Sequence, residues 1–279
     1  MKGRWLIVTL VALVLTGCST KFVYNWLDWI IEWEVADYVD LSRTQERQFE
    51  AMVDEMLLWH RREELPKYRD QLVTLRNQVN HHLTSEDALG HIRSLEQHWL
   101  RIFDHLMPRL VPLMQTLTDE KVEQLLSTLE KENQKDIDRY LKKEFDERLS
   151  RSNKRTAKSL KRWVGKLTPL QREAVSKFNY ERHQSMDLWV AYRQAWQERF
   201  GEALRHRGDG ALLRSELRLL LVTPDKIRPA GYKEQLSMNQ HNFADALESI
   251  NASLTGKQRK KLNRELGSLI DDLADLSKN

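Results

Sequence analysis

The sequence predicts an all-α protein, an elongated bundle of long, partly kinked antiparallel helices, and three observations predict it. Apolar residues recur at three- and four-residue intervals over nearly the whole chain, as in Val122, Leu125, Leu126 and Leu129, the spacing that keeps one helix face apolar. Glycine and proline are scarce, 10 and 6 among 279 residues, so few points interrupt these patterns. No run of alternating β-branched residues bounded by turns appears, the trace a strand would leave. With 41% hydrophobic residues the chain can bury a sizeable core.

The N-terminus carries a different signal. Lys2 and Arg4 flank an apolar run from Trp5 to Leu15 that is too short to span a bilayer comfortably and ends in small residues, the layout of a secretory signal. Leu15-Thr16-Gly17-Cys18 resembles the bacterial lipobox. The resemblance implies cleavage before Cys18, lipid on that cysteine and, because Ser19 rather than aspartate follows, delivery to the periplasmic face of the outer membrane. The expected organisation is a signal peptide over 1–17, a lipidated end and short linker over 18–21, and one helical domain over 22–279. Cleavage removes Lys2 and Arg4 and lowers the formal charge from +4 to +2, so the pI near 9.0 does not mark a nucleic-acid binder. Cys18 is the only cysteine. Once lipidated, it leaves no thiol for a disulfide, thiol catalysis or a cysteine-rich zinc site.

Phe22 to Leu41 reads as the first helical stretch. Trp26, Trp29 and Trp33 share one face, Val23, Leu27, Ile30 and Ile31 cover an adjoining one, and only a narrow stripe through Asn25, Asp28 and Glu32 is polar. Such a helix must bury most of its circumference, in a bundle core or at a membrane interface. Interfacial helices usually carry Lys and Arg on the polar face. The acids here favour the core, with the short linker holding the bundle against the membrane.

Ser42 opens a long pattern through Phe49, Met52, Val53, Met56, Leu57 and Trp59. Pro66 is expected to kink or break it, since proline lacks a donor and crowds the preceding turn. A segment with Tyr68, Leu72, Leu75 and Val79 follows, and then one from Ser85 through Leu89, Ile92, Leu95, Trp99, Phe103 and Leu106, with interruptions expected at Pro108 and Pro112. Thr118 starts a pattern that runs, with a break, to Leu167; Thr168-Pro169 starts another reaching Leu204. Gly208-Asp209-Gly210 reads as a turn. Helices near Ala211–Leu221, Tyr232–Ser253 and Gly256–Leu276 complete the chain, with Pro224 and Pro229 between the first two.

One helix start recurs: Leu41-Ser42-Arg43-Thr44-Gln45, Leu83-Thr84-Ser85-Glu86-Asp87, Leu117-Thr118-Asp119-Glu120-Lys121, Leu167-Thr168-Pro169-Leu170-Gln171 and Leu254-Thr255-Gly256-Lys257-Gln258. A Ser or Thr N-cap accepts from exposed amides, and a Gln three residues on completes a capping box. The leading leucine lacks a consistent partner for a hydrophobic staple. Spacings of 42, 34, 50 and 87 residues between successive leucines exclude a regular solenoid. The pattern resembles the LTxxQ motif of helical periplasmic stress proteins and Spy-like chaperones, which implies an all-α cradle that binds unfolded clients without ATP.

Tyr24-Asn25-Trp26-Leu27-Asp28-Trp29, Asp37-Tyr38-Val39-Asp40-Leu41, and Trp59-His60-Arg61 followed by Glu64-Leu65-Pro66 resemble the hallmarks of an uncharacterised family of gamma-proteobacterial helical lipoproteins, a domain of unknown function. That resemblance spans nearly the whole mature chain and implies no activity.

His91, His98 and His105 recur every seven residues, which sets them about 10 Å apart along a helix axis, too far for two to ligate one ion at ~2 Å. No His-Glu-x-x-His, phosphate loop or Gly-x-Ser-x-Gly is present. No metal, cofactor or catalytic residue is therefore assigned.

The most unusual charge feature is the stretch from Arg148 to Lys166, eight cations without an acid. Arg148, Arg151, Arg155, Lys158 and Arg162 form a continuous basic stripe that leads to Lys166. Like charges at that spacing repel, so a compensating surface is expected. An internal partner is an acidic face around Glu130, Glu132, Asp136 and Asp138; an external one is an anionic envelope component. The function expected is that of a non-enzymatic outer-membrane lipoprotein that binds envelope components or protein clients, with no nucleic-acid partner. A Spy-like ATP-independent chaperone and a peptidoglycan-acting hydrolase are the alternatives.

Overall fold

In the computed structural model of the protein, which describes residues 20–182 and 186–278, every regular element is helical. The expected signal peptide and Cys18 lie outside the described residues. In order, the helices are α1 (Thr20–Tyr24), α2 (Leu27–Ala36), α3 (Arg43–Trp59), α4 (Leu65–His81), α5 (Ser85–Gln115), α6 (Asp119–Leu141), α7 (Phe145–Val164), α8 (Pro169–Arg182), α9 (Met186–Arg205), α10 (Gly210–Leu217), α11 (Ala230–Ala252) and α12 (Gly256–Leu276). Short π-helical turns occupy His60–Glu64 and Arg218–Val222.

The chain divides into two compact units, each assembled from three separate stretches. The first takes the described part of Met1–His60, with Gln97–Arg139 and Trp189–Pro229; the second takes Arg61–Glu96, Tyr140–Leu188 and Ala230–Asn279. In the first unit Met107, Val111, Val122, Phe200, Leu204, Leu213 and Leu217 form the core. α6 and α9 run antiparallel there, since Asn133 bonds Gln197 while Glu123 pairs with Arg205. In the second, Val79, Leu83 and Leu266 form one cluster and Val164, Leu167, Val175 and Ile250 another. α4 packs along α12, α7 along both α8 and α12, and α8 along α11.

The recurring helix starts work as caps, as their sequence predicts. Ser42 with Gln45 and Thr255 with Gln258 close reciprocal capping boxes, Thr168 and Gln171 exchange the same two bonds, and Asp87 serves Thr84 in this way. The leading leucines have a job the staple did not explain. Leu83, Leu117 and Leu167 are buried, and Leu41 and Leu254 pack against core clusters.

The motifs also pair. The backbone carbonyl just before a helix start lies outside the helical ladder and needs a donor. Gln171 Nε2 donates to the carbonyl of Ser253 at 3.1 Å, the residue before Leu254; Gln258 Nε2 donates to that of Lys166 at 3.0 Å, the residue before Leu167. The two glutamines also bond each other, at 3.1 and 3.0 Å. The first unit repeats the arrangement. Gln45 Nε2 donates to the carbonyl of Thr116 at 2.9 Å, and Lys121, standing where the glutamine would be, reaches the carbonyl of Asp40.

Two expectations about proline separate. Pro66 does mark an irregularity: the helical run continues past it, but through the π turn His60–Glu64, and the proline sits in the first turn of α4. Pro108 and Pro112 do not interrupt α5, which runs unbroken from Ser85 to Gln115. Both prolines are exposed, so the carbonyls they leave unbonded are on the side open to water, while Met107 and Val111 on the neighbouring face hold the helix by burial.

Candidate functional site

The residues of the basic stripe have different surroundings in three dimensions. Arg148 is a structural residue: its guanidinium lies 4.1 Å from the Tyr140 ring centre and donates to the carbonyls of Tyr140 and Lys143. Arg151 pairs with Glu147 one turn back at 2.7 Å. Arg162 is half-buried over the Trp163 ring; burial lowers its pKa and the nearby Glu265 opposes the shift. Arg155, Lys158 and Lys166 are exposed. Three of the four acids considered as an internal partner are engaged on their own helix, Glu132 with Lys135, Asp136 with Arg139, and Asp138 with Gln134.

Lys166 instead joins a second group of cations that the stripe did not reveal. A cleft of about 790 Å³ in the second unit is walled by the α7–α8 turn and the first turns of α12. Lys166 stands on one wall and Lys257, Lys260, Lys261 and Arg264 on the other. The turn between the walls depends on Gly165, whose φ of 79° and ψ of −155° lie in a region open essentially to glycine alone. Lys261 and Arg264 share Glu265, at 3.0 and 3.1 Å. Burial works to raise the Glu265 carboxyl, and the hydrogen bonds from those two cations outweigh it and lower its pKa. Among the described residues Lys166, Lys257 and Lys260 make no ion pair. The three- and four-residue spacing from Lys257 to Arg264 was available in the sequence, but nothing local joins it to Lys166.

The tryptophan-bearing stretch departs from the expected core placement. Trp26 is 52% exposed, Trp29 56% and Trp33 46%, and Phe22 ahead of them 60%. α2 packs against α3 through its other side, burying Leu27 and Glu34. The reason is width: α3 covers one flank of a helix that is apolar nearly all round, and the tryptophan flank remains outside. Glu32 lies near Glu50, Asp28 and Asp54, and burial first, then these acids, raise its pKa. Trp29 and Trp33 stack with ring centres 6.4 Å apart, and Phe22 and Trp26 are 6.2 Å apart. The result is one exposed aromatic stripe.

The seven-residue histidine series resolves into three unrelated contacts. His91 Nε2 donates to Gln78 Oε1 at 2.7 Å, His98 is buried against Arg101, and His105 stacks on Trp59 with ring centres 4.0 Å apart. Among the described residues no three His, Cys, Asp or Glu side chains gather as a metal site would require.

Burial lowers the His91 pKa, and Asp87 only partly opposes it. The fold thus favours neutral His91. Its contribution to stability is complete above the unfolded value of about pH 6.5 and is lost as pH falls from there toward the folded pKa. We expect the denaturation midpoint to fall between about pH 7 and about pH 5.5, and to fall less in His91→Gln. Parallel profiles for the two proteins would contradict this.

The chain was also compared with known proteins. No curated protein and no solved structure matches it. A family model described as "Family of unknown function (DUF6279)" matches residues 37–233.

Proposed function

The chain belongs to this family of unknown function, and from that premise we propose that it is a membrane-surface lipoprotein with a non-enzymatic binding role, of the gamma-proteobacterial kind that its N-terminal residues resemble. Lipid on Cys18 holds it at the periplasmic face of the outer membrane. The aromatic stripe from Phe22 to Trp33 then lies in the lipid interface and keeps the bundle close to the bilayer.

The observation that carries this reading is the exposure of four large aromatic rings on one flank, directly after the proposed anchor. Tryptophan is at home at the membrane–water boundary, where its ring is apolar and its N–H stays wet. No helix among the described residues is long and apolar enough to cross a membrane, so the proposed contact is lateral. The acids on the polar flank, Asp28 and Glu32, argue for ring insertion rather than charge as the attachment, and hence for low salt sensitivity. The helix-start motifs that resemble the chaperone family are occupied by capping and by contacts between helices, which supports an architectural role for them.

Fluorescence of the full chain in vesicles carrying lipid-attached quenchers tests the proposal. Quenching of a substantial share of the tryptophan signal at shallow depth is expected. Emission insensitive to quenchers at every depth would contradict it.

A further inference from the structure

We infer that the cleft between the α7–α8 turn and α12 binds a ligand bearing two or more phosphate groups. Five cations line it from two different elements: Lys166 on the turn, and Lys257, Lys260, Lys261 and Arg264 on α12. One carboxylate, that of Glu265, answers two of them, so the cleft has a net charge of four positive units. Like charges lining one cleft repel one another, and an anion bound there would offset that repulsion. A lone phosphate, with about two negative charges, would leave about half of that charge unanswered, whereas two or three phosphate groups meet it.

The shape fits as well. A volume of about 790 Å³ lies in the range of small-ligand sites. Thr168 and Thr255 both line the cleft, which brings the starts of α8 and α12 to it. The capping box on α12 uses the amides of Thr255 and Gln258 and leaves those of Gly256 and Lys257 for an oxyanion. A Cβ built on Gly256 would meet nothing within 4 Å, so that helix end is open to a ligand. The inference is independent of the membrane reading, because none of these residues belongs to the aromatic stripe.

Calorimetric titration of the full chain in non-ionic micelles with sodium tripolyphosphate tests it. Saturable binding is expected at least tenfold tighter than that of sulfate. Lys257→Gln with Lys260→Gln should weaken binding at least tenfold, and among the described residues these two make no ion pair whose loss would unfold the protein; an unchanged thermal midpoint checks that. Arg155→Gln with Lys158→Gln, exposed cations away from the cleft, should leave binding unchanged. Adding phosphatidic acid to the micelles, with phosphatidylcholine as control, distinguishes the sources: displacement of tripolyphosphate assigns the site to a lipid headgroup, and its absence to a soluble phosphate compound. Lack of saturable binding, or equal weakening by the two double variants, would overturn the inference.

Discussion

Replacing Gln258 with alanine is expected to destabilise the second unit by about 3–5 kcal/mol, because it strands several buried polar groups at once. Gln258 is 6% exposed and Gln171 is fully buried. Removing the Gln258 amide leaves the Lys166 carbonyl and the Thr255 amide without their partners and takes one bond from each end of the Gln171 amide. Each such orphaned group costs about 1–3 kcal/mol in a setting closed to water, and water entering the space recovers part of the sum. Gln171→Ala should cost a similar amount. The double variant should cost clearly less than the two single losses added together, since the bonds between the amides are counted in both. Urea denaturation followed by circular dichroism measures all three. Additive losses, or a loss below 1 kcal/mol for Gln258→Ala, would show that the pair is not the clasp its geometry indicates.

The second large effect concerns the aromatic stripe. Changing Trp26, Trp29 and Trp33 together to serine is expected to weaken the partition of a lipid-free Cys18→Ser protein into phosphatidylcholine vesicles by on the order of a hundredfold, about 2.7 kcal/mol. Half-exposed tryptophans present on the order of 100 Å² each, worth about 2 kcal/mol apiece if wholly withdrawn from water. A hundredfold therefore asks for only part of that insertion. Because these rings lie outside the core, the folding midpoint should move little. An unchanged partition would contradict the interface reading, and a collapse in stability would return the stripe to the core.

Much of the fold was legible in the chain because helix starts are local. Thr255 and Gln258 sit three residues apart, and their capping box needs nothing from elsewhere, so the start of α12 at Gly256 was readable from its own letters. The pairing of that box with Gln171 was not, since no short-range pattern links two motifs 87 residues apart. Pro108 and Pro112 misled for a related reason. Whether a proline interrupts a helix depends on which side faces water, and that is fixed by partners such as the core around Met107. The tryptophans were readable as a face but not as an exposed one, because the chain does not announce how wide a neighbour α3 will be. For the charged site, Lys166 was singled out for its place in the α7 stripe, yet it acts with cations on α12. The stripe itself contained Arg148 and Arg162, each of which lies over an aromatic ring, a contact that helix spacing alone does not show.

The interleaving of the two units has a consequence for biosynthesis. Neither unit corresponds to a continuous piece of chain, so no single cut yields either one whole. As the polypeptide emerges from its N-terminus, the first unit lacks its closing stretch until Pro229 is out, and the second waits for the residues of α12 near the very end. Long helices can form earlier, but their apolar sides stay uncovered until those late arrivals dock. The hazard in making this protein is therefore concentrated before α12 is out, and a premature stop between Ala230 and Gly256 would release a chain that has every stretch of the first unit but lacks α12 from the second.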